Sequence, residues 1–221
     1  MTWLISIRSD RPRYQPIIAP NPKCRTLEDK TEAERWRHRA AREFRDMKGF
    51  LPLGIYAEGN RIDEDRFWPK EGYFLKDFKG LPPLLGLSAF YLVQESWRDA
   101  IEELEPGVHQ FKHVPLFRKN GSPVEERYHA INICQALRDV SDMERSTAPA
   151  KTYGNGEWKF VRTSDHPISK VYFFQDKVLG FHLWRPRDIL EYKIAASSQL
   201  FDHLSQLADM KSVRTLWIEE V

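Results

Sequence analysis

Cysteine is nearly absent: Cys24 and Cys134 are the only two in 221 residues, 110 positions apart. That spacing excludes a disulfide framework and any C-x-x-C centre, and it suits a reducing compartment. Long apolar runs are missing too. No stretch approaches the roughly 18–20 apolar residues of a membrane-spanning helix. In the opening "MTWLISIRSD", Arg8 and Asp10 cut the apolar run too short for a secretory leader. Neither sign of charge dominates. The 34 Lys and Arg against 32 Asp and Glu give +2, with no bulk attraction for nucleic acid or an anionic membrane. These absences together predict a cytoplasmic protein with no nucleic-acid and no membrane partner.

What is present is core material: 41% of residues are hydrophobic, including seven Trp, eight Tyr and thirteen Phe. A chain of this length suits one domain, with or without an elaboration. "WLISI" (3–7) reads as a strand, and Pro12, Pro16, Pro20 and Pro22 keep the next stretch out of helix. In "TEAERWRHRAAREFRDMK" (31–48), Ala33, Trp36, Ala40, Phe44 and Met47 form one apolar stripe on a charged helix that Gly49 ends. Residues 51–87 are irregular, rich in Gly and Pro. The division expected is an N-terminal elaboration over 1–66, carrying the charged helix and packed on a main domain over 67–221.

That second part reads as an α+β fold, a mixed sheet with β–α–β elements and hairpins flanked by amphipathic helices. "FYLV" (90–93) is a strand, and Glu95–Leu104 a helix with Trp97, Ile101 and Leu104 on one face and Ser96 with Asp99 as a capping box. Residues 108–117 and 124–132 extend on either side of Asn120-Gly121, a hairpin signal, and a helix over 133–143 follows. A loop at 146–157 and a strand at 158–163 come next. "KVYFF" and "GFHLW" then flank a turn, and a helix at 197–208 precedes the strand at 212–218. Leu200, Leu204 and Leu207 echo Trp97, Ile101 and Leu104 at an offset of 103, which suggests two similar β–α–β elements.

Candidate chemistry is thin. His109 and His113 have zinc-helix spacing, but Pro106-Gly107 and Pro115 leave a strand, where residues four apart lie about 13 Å from each other and cannot share one ion. They read instead as two histidines on one half-exposed strand face. "GLSAF" (86–90) lacks the second glycine of a nucleophile elbow, so Ser88 reads as a turn residue. "YGNGEW" has no P-loop around its glycines and reads as a loop or hairpin turn. Arg35, Arg39 and Arg42 share a helix face, but Glu32, Glu34, Glu43 and Asp46 interleave with them at pairing distance. The acidic clusters 63–65, 102–105 and 125–126 read as solvated surface. Cys134 has no thiolate-favouring neighbour in sequence and reads as a small buried residue. Trp184 and Trp217 read as core, and Trp68, beside Pro69, as the exposed tryptophan. No catalytic, cofactor-binding or metal residue is assigned.

From about residue 67 onward the chain resembles the bacterial immunity proteins that accompany polymorphic, contact-delivered toxins. The resemblance rests on "DFKGLPPL" (77–84), "YLVQESWRDAIEEL" (91–104), "FKHVPLF" (111–117), "YHAINICQALRDVSDMERS" (128–146), "HLWR" (182–185) and "ASSQLFDHLSQL" (196–207), in that order. It implies a non-catalytic antitoxin without cofactor, whose partner is a cognate toxin domain. The motifs mark scaffold, so the resemblance assigns no toxin-binding residue. An unrecognised enzyme and a general interaction module are the other classes, and an enzyme would need titratable groups converging in a concave pocket.

Overall fold

The structure is a computed structural model and describes residues 1–7, 59–63, 68–74, 80–87, 90–147, 150–153, 158–161, 170–189 and 194–221. The charged helix expected at 31–48, with Arg35, Arg39 and Arg42, lies outside these residues.

The apolar spacing at 97, 101 and 104 delivers helix α1 (Glu95–Leu104), which buries Trp97, Ala100 and Ile101. Its N-cap is Gln94, with no side-chain cap, so the Ser96–Asp99 capping box does not form. Strand β4 (Phe90–Gln94) runs straight into the helix, and the amide of Glu95 is already satisfied by the Arg127 carbonyl at 3.0 Å. Ser96 therefore sits one residue inside the first turn, where it has no cap to make. Strands β3 (Leu84–Leu87), β5 (Gln110–His113) and β7 (Tyr128–Asn132) complete an antiparallel sheet in the order β3-β4-β7-β5. The hairpin expected around Asn120-Gly121 forms: Gly121 takes φ 85°, and Asn120 Oδ1 accepts the Ser122 amide at 2.9 Å. Beyond Pro115, the short β6 (Leu116–Phe117) pairs in parallel with β2 (Gly72–Tyr73).

The second sheet is built the same way. Helix α3 (Ser198–Leu207) follows directly on β13 (Ile194–Ser197), which pairs with β12 (Leu183–Pro186). Strand β14 (Val213–Glu220) returns after the helix, and β1 (Thr2–Ile7), from the opposite end of the chain, lies antiparallel between β13 and β14. With β11 (Tyr172–Phe173) and β8 (Ala136–Leu137) at its edges, the sheet order is β11-β14-β1-β13-β12-β8. A short helix α2 (Gln175–Val178) separates β11 from β12. Strands β9 (Ala150–Tyr153) and β10 (Trp158–Val161) pair as a separate hairpin. Part of the loop expected at 146–157 is thus strand.

The faint sequence echo is a structural duplication. The two long helices are both ten residues and sit at an offset of 103. Val93 pairs with Leu84 on one side and His129 on the other; Ala196 likewise pairs with Leu183 and Trp3. The Gln94 amide donates to the Pro83 carbonyl and the Ser197 amide to that of His182. At the helix starts, Glu95 N–H meets Arg127 O and Ser198 N–H meets Met1 O, both at 3.0 Å. Even the parallel additions correspond: Gly72 and Tyr73 on Leu116 and Phe117, Tyr172 and Phe173 on Glu219 and Glu220. The units differ in where the central strand comes from. In the first it is β7, which follows β5; in the second it is β1.

Both units share one core. Trp97, Ile101, Leu200 and Leu204 from the helices meet Val93, Ile131, Ile5, Leu183 and Ala196 from the inner sheet faces. The alternate residues point outward into two further clusters, Leu85, Leu92 and Ala130 with Trp68 and Phe74, and Leu4, Trp184 and Ala195 with Phe173 and Val178. Covering both faces explains why all five residues of β7 are buried.

Three further expectations are corrected. Residues 133–143 are not helical, because Gln135 and Leu137 give their carbonyls to the amides of Arg185 and Arg187, and Asp139 takes φ 52°. Pairing with β12 overrides the local pattern. Trp68 is buried in the outer cluster of the first sheet, whereas Trp217 is 46% exposed; Trp184 is core, as expected.

One shared core implies one unfolding event. Ile101→Ala and Leu204→Ala, at equivalent positions, should each cost about 2–5 kcal/mol and shift a single urea transition. Two separated transitions in either variant would show instead that the units fold independently.

Candidate functional site

Glu105 follows α1 and is 5% exposed. Its Oε2 meets His109 Nε2 at 2.7 Å and accepts the Leu183 amide at 3.0 Å, and its Oε1 accepts the His182 amide at 2.7 Å. The Gln135 side chain, oriented to suit its neighbours, donates to Oε1 at 3.2 Å and to the Leu183 carbonyl at 2.6 Å. Burial alone would raise the Glu105 pKa, but hydrogen bonds from His109, His182 and Leu183 outweigh it and hold the carboxyl below its ordinary value. The Cys134 amide donates to His109 Nδ1 at 3.3 Å. Both ring nitrogens of His109 are therefore engaged, and the geometry assigns the ring proton to Nε2. The pair expected to share a half-exposed face is split: His109 is buried against Glu105 and only His113 is exposed.

Beside this network a groove of about 730 Å³ opens between α1, the start of β5 and residues 61–63. It is lined by Arg61, Asp63, Arg98, Asp99, Glu102 and Lys112, three charges of each sign. Several are already engaged. Arg61 donates to the carbonyls of Gly107 and Val108 at 3.3 and 3.4 Å, Arg98 Nε donates to Asp99 at 2.8 Å, and Glu102 accepts the Gly107 amide at 3.3 Å. The strand Tyr128–Asn132 is pinned at both ends. Tyr128 donates its hydroxyl to Pro82 O at 2.7 Å, and Asn132 Nδ2 donates to Asn60 O at 2.8 Å. Gln110 adds two hydrogen bonds to the backbone of Ile62. The "Y-x-x-x-N" spacing thus fixes scaffold.

The remaining sequence candidates do not converge. Cys134 is a free, half-buried thiol whose pKa burial pushes up, the reverse of an activated nucleophile. Leu87 pairs with Phe90, so "GLSAF" joins two antiparallel strands rather than a strand and a helix; Ser88 itself lies outside the described residues. Tyr153 pairs with Trp158 across the "YGNGEW" glycines. Of the acidic clusters, Asp63 lines the groove while Glu64 and Asp65 lie outside the described residues. Glu102 faces the groove, Glu103 approaches His203 at 4.0 Å, Glu105 is buried, and Glu125 and Glu126 are exposed. Among the described residues, no three His, Cys, Asp or Glu are placed to hold a metal ion, and no helix is long and apolar enough to cross a membrane.

Residues 18–221 match a family described as "Immunity protein family (Imm11)". The chain belongs to this family. No curated protein matches it. Across an immunity protein of this kind, the motif residues Tyr128, Asn132 and Trp184 are all buried, which explains why a resemblance built on them names no binding residue.

A feature invisible in the sequence is Arg185. It is 5% exposed, and among the described residues its Nε and Nη2 have no hydrogen-bond partner. Burial lowers its pKa, with Tyr91 opposing and Arg187 adding to the shift. Two buried donors without acceptors cost stability. Arg185→Met, of similar length, should stabilise the fold by about 1–3 kcal/mol, read as a higher Tm; a fall would mean the guanidinium is satisfied in solution. Glu105→Gln should destabilise at neutral pH by about 1.5–3 kcal/mol, because it removes charge-assisted hydrogen bonds to buried donors. Because the folded pKa is depressed, the Glu105 contribution is complete above the unfolded value of about 4.3 and lost as pH falls through the folded one. The variant should therefore show a flatter acid limb in stability against pH, and an unchanged limb would remove Glu105 from that role.

Proposed function

We propose that this immunity protein neutralises a cognate toxin domain by binding it, without chemistry of its own. The observation that carries the reading is the family match over 18–221. The site geometry agrees with it: the buried histidine at the groove has both ring nitrogens occupied, and burial pushes the pKa of the nearby thiol up. The groove beside it carries charges of both signs. It would not track a phosphate backbone, which calls for a net positive stripe. The toxin belongs to a bacterial polymorphic toxin system, and the encounter takes place in the cytoplasm, where the toxin would act.

Protection against a scarce toxin requires nanomolar binding or tighter, about −12 kcal/mol. The test mixes the purified chain with the active toxin domain that co-purifies with the tagged chain from its own cells. The expected result is a 1:1 complex by calorimetry and loss of toxin activity at equimolar chain. Full toxin activity with the chain in excess would refute the proposal.

A further inference from the structure

The duplicated fold contains its own control experiment. In the first unit, His129 on the central strand pairs across to His113, their rings 5.6 Å apart, and Arg98 of α1 reaches His129 Nε2 at 3.4 Å. Glu95 joins this cluster, 3.7 Å from His129 and 3.4 Å from Arg127. The equivalent positions in the second unit are Trp3 on the central strand, Trp217 across from it, and Phe201 on α3. Trp3 and Phe201 stack at 4.2 Å with planes 11° apart. The same three places are thus polar in one unit and wholly aromatic in the other.

The fold evidently accepts either solution. Aromatic side chains here are not demanded by packing, and Trp217 remains 46% exposed. A half-exposed Trp beside a pre-stacked aromatic pair is the composition of a binding hot spot, since Trp contributes large contact area at small entropic cost. Neither the groove beside α1 nor the small void within the shared core is lined by these residues. On the same strand as Trp217, Glu219 is exposed, and beside it Glu220 holds the N-terminal ammonium at 2.6 Å. That rim has both signs of charge, as at protein interfaces, and lacks the cationic excess that stacked nucleic acid needs.

We propose that Trp217, with the Trp3–Phe201 stack behind it, is the hot spot that docks the toxin domain. This rests on the function proposed above. The complementary surface on the toxin is an apolar socket that takes the exposed indole, ringed by polar groups.

The experiment uses the full chain and the toxin domain identified by co-purification, carried as an inactive variant. Trp217→Ala should weaken binding by about 30-fold or more. His113→Ala, at the equivalent place in the other unit, should change it less than about threefold. Urea midpoints near that of the wild type show that both variants are folded. As a readout without mutation, hydrogen exchange of the wild-type complex should protect 213–219 and leave 110–113 unchanged. If the wild type binds but Trp217→Ala binds equally well, or protection falls on 110–113, the patch is wrong and the antitoxin reading survives. No binding by the wild type overturns both. A dimer of this chain that Trp217→Ala dissolves, with toxin binding unaffected, would assign the patch to self-association instead.

Discussion

The Glu105 carboxylate is the point on which the two halves meet. It leaves the end of the first helix and accepts the backbone amides of His182 and Leu183, where the second sheet begins. Those amides would otherwise be buried donors near the junction, and each lost partner costs about 1–3 kcal/mol. His109 and Gln135 use the remaining lone pairs. Through His109 the network also holds the Cys134 amide, and so the bend between β7 and β8. Hydrophobic burial drives the two units together, but it is non-directional. The carboxylate sets how they are aligned.

Around that joint the same architectural unit is used twice with different surfaces. Its interior is conservative in chemistry: Trp97, Ile101, Leu200 and Leu204 fill one core from equivalent helix positions. Its outer positions are free to differ, and they do. One unit shows a histidine–arginine cluster bordered by a groove, and the other shows an aromatic stack with a half-exposed Trp. In the proposed role as toxin inhibitor this is a natural division, because interface residues can change without disturbing the core. It also leaves the motif residues Tyr128, Asn132 and Trp184 in the interior.

Much of the fold was legible in the sequence because it is local. The helix at 95–104, its counterpart at 198–207 and the Asn120-Gly121 hairpin follow from apolar spacing and turn chemistry, which neighbouring residues set among themselves. Arg185 and the fate of His109 were not legible. The Cys134 amide on His109 comes from 25 positions away and Tyr91 stands 94 positions from Arg185, and no short-range pattern encodes either neighbour.

The sequence by itself determined the class of fold, the helices and hairpin, the near-neutral charge and the family. Tertiary structure alone decided which apolar residues are core. Trp68 and Trp217 exchange roles because burial depends on what covers a strand face, not on the strand. It likewise decided that residues 133–143 extend, since their carbonyls find amides on β12 instead of four residues along their own chain. Spacing records the contacts a residue makes with its neighbours. The position of Trp217 on the surface depends on β1, whose place between β13 and β14 is set by residues at the other end of the chain.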